Sequence, residues 1–484
     1  MITFIGCLLF LIAGYLLYGK LMERIFGVEP QRATPAFAQQ DGVDYVPLPW
    51  WRVFMIQFLN IAGLGPIFGA IMGVMFGPAA FIWIVVGTIF GGAVHDYFSG
   101  MMSVRSKGAS LPEIIGQELG KYIKQFMRLF SLLLMVLVGA VFISGPAGLL
   151  NGLVPSINVI VWIGLIFSYY ILATLLPVDK LIGRLYPLFG FALLFMAVGI
   201  LIALFANQAP VPELTQGLAS RHPNQSLHIF PMMFVSIACG AISGFHATQS
   251  PIMARCIKNE KYGRRCFYGA MVAEGMVALI WAAAASSFFG SFEGLQEYVA
   301  GLPATANKPA EVVNLIAKDW LGTFGGLLAI LGVIAAPLTS GDTALRSARL
   351  IAADFLHLDQ KPILKRLMIS VPIFLITFII LQMHFDVLWR YFAWCNQTLA
   401  VFTLWAITVY LCRARKMYFI SMLPAIFMTM VCATYFFVAP RPEGIGLQYT
   451  TSLYIGAFIT VSVTVSFFVW KTLFFGKNKP SFKP

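Results

Sequence analysis

Charged side chains are scarce in this chain. Of its 484 residues only 11% are Asp, Glu, Lys or Arg, whereas 59% are hydrophobic. A soluble domain carries roughly 25% charged residues, so the composition excludes a water-soluble globular protein and predicts an integral membrane protein. Acidic residues are the scarcer charged class, with 20 against 33 basic residues. We assign the basic excess to the loops that orient membrane proteins, and not to nucleic-acid binding.

Motifs for cofactors, nucleotides and hydrolysis are also missing. The seven cysteines form no CxxC pair and no zinc-ligand spacing, so neither a disulfide framework nor a zinc site is expected. The sequence contains no GxxxxGK[ST], HExxH or GxSxG motif, which argues against ATP consumption and against the common hydrolases. We therefore predict a protein that is not an enzyme and needs no cofactor other than a possible coupling proton or sodium ion.

Apolar runs recur from one end of the chain to the other. A membrane span needs about 20 predominantly apolar residues. By this rule we predict thirteen spans, at residues 2–19, 52–75, 79–103, 127–150, 156–177, 183–206, 229–254, 266–290, 323–346, 366–384, 387–411, 417–438 and 452–474. The segments between them leave no room for a soluble domain of useful size.

The basic residues predict the orientation of these spans. If the N-terminus lies outside, all but five of the 33 basic residues fall in loops, span ends or the tail on the inner side. The five outside are Arg221, Lys308, Lys318, Arg390 and Arg441. This bias predicts a multi-pass membrane protein with its N-terminus outside and its C-terminus inside.

Two of the predicted spans are interrupted by glycine and proline. The second contains NIAGLGPIFG (Asn60–Gly69) and the seventh contains ACGAISGFHATQSPIMARC (Ala238–Cys256). Freed backbone groups cost several kcal/mol each in hydrocarbon unless protein or water satisfies them. Ordinary packing glycines would explain the first stretch alone. However, the two interrupted spans lie five apart and run in opposite directions, which predicts two inverted five-span repeats that each open with a discontinuous helix.

This repeat divides the chain into four parts. Residues 1–50 form an N-terminal extra helix and a cytoplasmic loop, and residues 51–206 form the first repeat. Residues 228–411 form the second repeat, and residues 412–484 form two further helices and a tail.

The interruptions also predict a binding site. The second half of a broken helix exposes backbone N–H groups that carry about half a positive charge and bind anions. A site between two such breaks suits a small carboxylate and a coupling ion. The predicted substrate-binding residues flank the breaks, with His246 expected inside the second one: Gly63, Gly65, Ser243, Gly244, Phe245, His246, Thr248 and Gln249.

Ionisable residues inside membrane spans are functional candidates by default. His95 and Asp96 form a candidate proton relay or gate, although Asp96 could instead cap its helix or pair with Arg105. Glu274 is the deepest acidic residue of the second repeat. It is either a proton carrier or a neutral hydrogen-bonding partner of a neighbouring helix. Asn60 could bond the substrate or tie together the first break.

Five longer stretches resemble one known family. They are DGVDYVPLPW, NIAGLGPIFGAI, GGAVHDYFSGMMSVRSKGASLPEIIG, ISGFHATQSPIMARC and PLTSGDTALRSARLIAADF. Together they closely resemble the carbon starvation protein A family, over most of the chain. The resemblance implies a secondary transporter of the amino acid–polyamine–cation superfamily, with the leucine-transporter-like five-plus-five fold. It also implies uptake of peptides or of pyruvate across the bacterial cytoplasmic (inner) membrane.

The resemblance extends to a possible sodium site. In the superfamily the helix at the position of the ninth span contributes hydroxyls to sodium against the first broken helix. Thr339 and Ser340 match in residue type, and oxygen ligands suit a hard cation. Asp342 could add charge to the site, or pair with Arg346 one turn later at the end of the span. Proton and sodium coupling both remain open from the sequence.

The sequence thus predicts a secondary active transporter that works by alternating access. Its expected substrate is a small, pyruvate-like carboxylate driven by a proton or sodium gradient, and uptake of short peptides by the same fold is the alternative. An intramembrane redox protein and a channel fit less well, since no haem-binding pair of histidines is evident and two distinct broken helices suit alternating access. The expected partners are the substrate and membrane lipids, without nucleic acid or ATP.

Overall fold

The computed structural model describes residues 1–42, 44–175, 178–303, 306–358 and 362–477, with side chains omitted at 174–188, 324, 328–329 and 476–477. These residues form an all-helical protein, as predicted. Within them β pairing is limited to one isolated parallel bridge between Leu48 and Ile257.

The α-helices of the described residues are, in chain order, α1 (Ile2–Ala13), α2 (Gly19–Phe26), α3 (Pro35–Ala38), α4 (Trp50–Ile61), α5 (Ala70–Val74), α6 (Ala79–Val86), α7 (Ala93–Arg105), α8 (Leu111–Leu119), α9 (Lys121–Leu153), α10 (Val159–Leu175), α11 (Val178–Ala206), α12 (Phe234–Ser236), α13 (Gly244–Ala254), α14 (Gly269–Phe288), α15 (Phe292–Gly301), α16 (Lys308–Leu356), α17 (Ile363–Ile380), α18 (Phe385–Arg413), α19 (Phe419–Val438) and α20 (Tyr449–Lys477). Five π-helical turns extend or join them, at Gly14–Tyr18, Gly65–Gly69, Gly87–Gly92, Ile229–Met233 and Arg264–Tyr268. Two 3₁₀ turns lie at Leu214–Gln216 and Glu260–Tyr262.

Ten helical runs in the described part of the chain are long and apolar enough to cross a membrane, or eleven if one bent pair is a single span. Two of the thirteen predicted spans are not in this set. The fifth corresponds to a shorter apolar helix, Val159–Ala173, and its predicted end at residues 176–177 lies outside the described residues. The seventh is divided into separate pieces. The number thirteen therefore stays a prediction.

Both predicted interruptions are present. The helix α4 ends at Ile61, and the next helical run, Gly65–Val74, is bent by 53° from it. In the seventh predicted span, residues 237–243 separate α12 from α13. Each break frees carbonyls that neighbouring hydroxyls satisfy: Ser340 Oγ donates to Leu59 O at 2.9 Å, and Thr88 Oγ1 donates to Gly240 O at 3.1 Å. The buried backbone is therefore partly satisfied within the protein, as the hydrocarbon surroundings demand.

The two breaks pack directly against each other. A Cβ atom on Gly65 would overlap the side chain of Cys239, and one on Gly69 would lie 2.8 Å from Ser236 O. A Cβ on Gly240 would lie 3.6 Å from the Cα of Pro66. Only glycine permits backbones to come this close. These glycines therefore place the two broken helices in contact with each other.

The ninth predicted span extends further than its sequence suggested. We expected it to end at residue 346, but α16 continues to Leu356. Gly322, just before the predicted span, is a residue of α16 with non-helical backbone angles. Arg346 and Arg349 each expose only 1% of their surface, and Arg346 Nη2 donates to Ala173 O at 2.9 Å. Because these arginines are buried in protein and do not mark an exit into water, the helix continues through them. Thr339, Ser340 and Asp342 accordingly lie within a continuous helix, away from its end.

Candidate functional site

The carboxyl group of Asp96 lies between two histidines. Nδ1 of His95 is 2.7 Å from Oδ1 of Asp96, and Nδ1 of His246 is 2.9 Å from Oδ2. His95 and Asp96 belong to α7, whereas His246 belongs to α13, the second half of the broken seventh span. All three side chains are fully buried. One carboxyl group thus links a continuous helix to a discontinuous one.

Glu274 extends this chain onto a third helix, α14. Its Oε2 lies 3.4 Å from Nε2 of His246, and Glu274 is fully buried. Neither carboxyl oxygen of Glu274, nor Nε2 of His246 or of His95, has a hydrogen-bond partner among the described residues. The four residues therefore form a continuous series of titratable groups, with unused hydrogen-bonding capacity at both ends.

The alternative partner considered for Asp96 is wrong. Arg105 lies about two and a half helical turns further along α7, and its Nη2 is 3.0 Å from Oε2 of Glu260, near the predicted cytoplasmic surface. Both oxygens of Asp96 are occupied by imidazoles. Because the two residues are far apart along α7, Asp96 lies in the protein interior, whereas Arg105 lies near the loops.

His246 lies just beyond the second break, which corrects its predicted place within it. The helix α13 begins at Gly244 with Ser243 in the N-cap position, so His246 is in its first turn. A Cβ on Gly244 would overlap backbone atoms of Asn396 and Ala400 in α18. Because this glycine packs closely on α18, the helix begins earlier in the chain than the glycine-rich sequence indicated. His246 is consequently held on regular helical backbone.

Asn396 also belongs to this site, although from the sequence we expect it to make only packing hydrogen bonds between helices. Its Oδ1 accepts hydrogen bonds from the backbone N–H of Phe245 at 2.6 Å and from Ser243 Oγ at 3.0 Å. Its Nδ2 contacts Cys239 Sγ at 3.3 Å. Asn396 therefore caps α13 from another helix and connects both sides of the break. An intramembrane asparagine opposite a broken helix was the available signal.

Thr248 and Gln249 face the helices α9 and α16. Thr248 Oγ1 donates to Phe245 O at 2.6 Å, and Gln249 Nε2 lies 3.0 Å from Thr248 Oγ1 and 3.5 Å from Ser347 Oγ. Gln249 Oε1 is buried without a hydrogen-bond partner in the described structure. These two polar side chains thus lie on the same half-helix as His246, directly after the break.

The hydroxyls of α16 lie against the first break. Ser340 Oγ contacts Leu59 O, and a Cβ on Gly63 would lie 3.3 Å from that hydroxyl. Thr343 Oγ1 is 3.4 Å from Asn60 Oδ1, so Asn60 lies against α16. Thr339 donates to Ala336 O within its own helix at 2.8 Å, and Asp342 is fully buried nearby in sequence. The predicted residues of the first break therefore do meet the ninth span.

The end of the site that we predict to face the cytoplasm is covered by protein. A cavity of about 10 Å³ separates Thr248 and Ser347 from Arg255 and Ser110. Arg255 Nε donates to Gly108 O at 2.9 Å, and its guanidinium lies 5.1 Å from the ring centre of Tyr45. Leu48 N donates to Cys256 O at 3.0 Å. The loop before α4 thus covers the inner end of α13.

Glu260 fastens this closure. It is fully buried, and its Oε2 accepts from Arg105 Nη2 at 3.0 Å and from the backbone N–H of Glu29 at 2.9 Å. Arg32 lies 3.8 Å away. One buried carboxylate therefore joins α7, the loop after α2 and the turn after α13.

Family and fold comparisons agree with these features. The family model described as "Carbon starvation protein CstA" matches residues 1–151 and 151–320. A protein of Haemophilus influenzae described as an "Uncharacterized membrane protein" is 43% identical over 349 residues, covering 62% of this chain and 94% of that protein. In structure, a manganese transporter of Eremococcus coleocola superposes with a TM-score of 0.56 at 13% identity, covering 90% of this chain and 98% of that one. At that identity the likeness concerns the fold alone.

Two relatives carry functional names. The "Pyruvate/proton symporter BtsT" of Escherichia coli is 28% identical over 336 residues, covering 56% of this chain and 46% of that protein. The "Peptide transporter CstA" of Helicobacter pylori strain J99 is 29% identical over 331 residues, covering 55% of this chain and 48% of that protein. The matches span about half the length of these named transporters. By its family match, this chain belongs to the carbon starvation protein CstA family.

Proposed function

We propose that this protein is a proton-coupled secondary active transporter that imports a small carboxylate by alternating access. The observation that carries the proposal is the buried series His95–Asp96–His246–Glu274, which connects α7 and α14 to the second half of a broken helix. A titratable series that crosses between a rigid helix and a hinged one can tie protonation to the position of the hinge.

The chemistry of the series suits protons. Imidazole changes charge between about pH 5 and 8 when unperturbed, and a carboxyl group accepts or releases one proton. The four groups contact one another in pairs, from His95 through Asp96 and His246 to Glu274. The pyruvate symporter of Escherichia coli, a relative, is named as proton-coupled. These points favour proton coupling over sodium.

The site also favours a small anion. The positive end of the α13 dipole begins at Gly244, directly after the break, and glycine-to-backbone contacts leave little width between the two breaks. A peptide would bring an amine as well as a carboxylate and would need a wider chamber. Peptide transport remains the second candidate because several relatives are named peptide transporters.

The same reasoning supports the wider architecture that we propose. Thirteen spans in two inverted repeats are supported by two broken helices in contact, by ten or eleven helical runs long enough to cross a membrane in the described part of the chain, and by the likeness to a transporter fold over 90% of the chain. The outside N-terminus and inside C-terminus rest on the distribution of basic residues.

Transport assays can test the function directly. The purified protein in proteoliposomes would be given labelled pyruvate or a labelled dipeptide under an imposed proton gradient or an imposed sodium gradient. We expect pyruvate to accumulate with the proton gradient and an excess of unlabelled pyruvate to compete. Dipeptide accumulation that excess pyruvate leaves unchanged would support the second candidate instead.

Variants locate the site within the same assay. His246→Ala and Asp342→Asn should abolish accumulation, and Glu274→Gln should abolish coupling with little loss of thermal stability, because the carboxyl oxygens of Glu274 make no hydrogen bond in the described structure. His222→Ala, at an external loop position, is the matched control and should transport normally. Normal uptake by both His246→Ala and Asp342→Asn would refute the site.

A further inference from the structure

A long apolar groove runs along the surface between α1, α4, α11 and α14. Its volume is about 570 Å³, and it lies apart from the buried titratable series. Its lining is apolar or aromatic except for one guanidinium. The lining residues are Ile12, Tyr15, Leu16, Trp50, Trp51, Phe54, Met55, Phe191, Arg265, Gly269, Val272, Ala273 and Met276.

The groove has the length of one membrane leaflet. From Arg265 to Met276 it follows eleven residues of helical backbone, which corresponds to about 16 Å at 1.5 Å per residue. Half of a hydrocarbon core about 30 Å thick is about 15 Å. Trp50 and Trp51 stand at the same end as Arg265, where interfacial tryptophans are expected. The groove therefore begins at one interface and ends near the bilayer centre.

Arg265 lines the interfacial end of the groove, and Arg52 lies beside it on Trp51, which also lines the groove. Neither guanidinium has a carboxylate partner among the described residues. Arg265 is exposed and lies 5.0 Å from the ring centre of Trp50. Arg52 lies 5.2 Å from the ring centre of Trp51, and its Nε is buried without a hydrogen bond. The adjacent Arg264 differs, because it is paired with Glu23 at 3.0 Å. Positive charge without a carboxylate partner is therefore present at the mouth of the groove.

We propose that this groove is a binding site for an anionic phospholipid of the leaflet on the basic, cytoplasmic side. An acyl chain lies along the apolar walls, and the phosphate lies at Arg265 and Arg52. Guanidinium groups bind phosphate oxygens through paired N–H donors, and basic pockets between spans on this side suit anionic head groups. The alternative occupant, a zwitterionic lipid, also presents a phosphate, but its own cationic group balances that charge, so it would leave the positive charge of the two arginines without net compensation.

Lipid retention measures this site without any transport assay. The purified protein would be exchanged into nanodiscs of phosphatidylglycerol and phosphatidylcholine in equal amounts, extracted, and examined by native mass spectrometry for retained lipid. We expect the unaltered protein to retain phosphatidylglycerol preferentially. Arg265→Gln and Arg52→Gln should each weaken that retention about fivefold, the worth of one basic residue at an anionic surface.

Two further variants separate charge from shape. Ala273→Trp fills the groove without changing charge and should also remove the retained lipid. Lys258→Gln removes an exposed basic residue outside the groove and should leave retention unchanged. Equal retention of both lipids, or retention by Arg265→Gln and Arg52→Gln that matches Lys258→Gln, would overturn the proposal. Because no substrate enters the measurement, its outcome is independent of the proposed transport function.

Discussion

Oδ2 of Asp96 lies 2.9 Å from Nδ1 of His246, and this contact joins α7 to α13, the half-helix that follows the second break. Both residues are fully buried. A charge stranded in such a place is costly, and breaking a buried pair by removing one partner destabilises by roughly 3–5 kcal/mol. Protonation of the pair therefore has the energetic weight to favour one position of α13 over another.

The first prediction concerns Asp96→Asn. The amide keeps the shape of the side chain but cannot exchange a proton, so we expect proton-driven accumulation to fall to background. Exchange of labelled for unlabelled substrate across the membrane should persist, because it needs no net proton movement. Proteoliposome uptake and counterflow, measured on the same preparation, distinguish the two.

Glu443→Gln is the matched control for this change. Glu443 lies in the loop before α20, far along the chain from the site. Its carboxylate is largely buried and is paired with Arg390 of α18. We expect its substitution to leave accumulation intact. Equal loss in both variants would show that the effect of Asp96→Asn is a general consequence of removing a buried acid.

The second prediction concerns Asn396. Asn396→Leu removes the acceptor of the Phe245 N–H and leaves a buried donor unsatisfied, at a cost of about 1–3 kcal/mol. We expect a lower melting temperature and a raised KM, since the start of α13 is no longer fixed. Asn396→Asp retains both acceptor contacts and should behave closer to the unaltered protein at a pH low enough to keep the buried carboxyl group protonated and neutral. Identical behaviour of the two variants would argue that Asn396 serves only as packing.

The third prediction concerns the contact between the breaks. Gly65→Ala places a methyl group on the side chain of Cys239, and overpacking of this kind costs about 1–3 kcal/mol. We expect reduced transport and stability. Adding Cys239→Gly should restore both, whereas Gly164→Ala, where no atom lies within 4 Å, should be neutral. Failure of the second change to rescue the first would mean that Gly65 is needed for another reason.

The fourth prediction concerns the inner closure and uses Cys256 as a reporter. Burial raises the pKa of the Cys256 thiol to about 12, so little thiolate forms at neutral pH and alkylation should be slow. Glu260→Gln weakens the charged hydrogen bonds that fasten the closure, each worth about 1.5–3 kcal/mol. We expect alkylation of Cys256 to become roughly tenfold faster or more.

The measurement uses a background in which the other six cysteines are replaced, with mass spectrometry of the labelled peptide. Glu297→Gln, in α15 on the side that we predict to be external, is the control and should label at the original rate. An unchanged rate in Glu260→Gln would show that Glu260 does not hold the inner side closed.

Much of the site could be anticipated from residue types. His95, Asp96, His246 and Glu274 are ionisable groups in apolar runs, and such groups are rare enough in membranes to be noticed. The two breaks were visible because glycine and proline are incompatible with an unsupported span. Three details were not visible. The start of α13 depends on packing against α18, the length of α16 depends on burial of its arginines, and the role of Asn396 depends on a contact across about 150 residues of chain.

The sequence by itself determined that this is a helical membrane protein with two interrupted spans and a small set of intramembrane titratable residues. Those properties follow from local hydropathy and backbone chemistry, which act over a few residues. Only the tertiary structure decided that Asp96 lies between His95 and His246, that Glu274 continues the series, and that Arg105 belongs to Glu260 instead. Partners of buried charges are chosen by which helices touch, and that choice is made by packing across the whole chain.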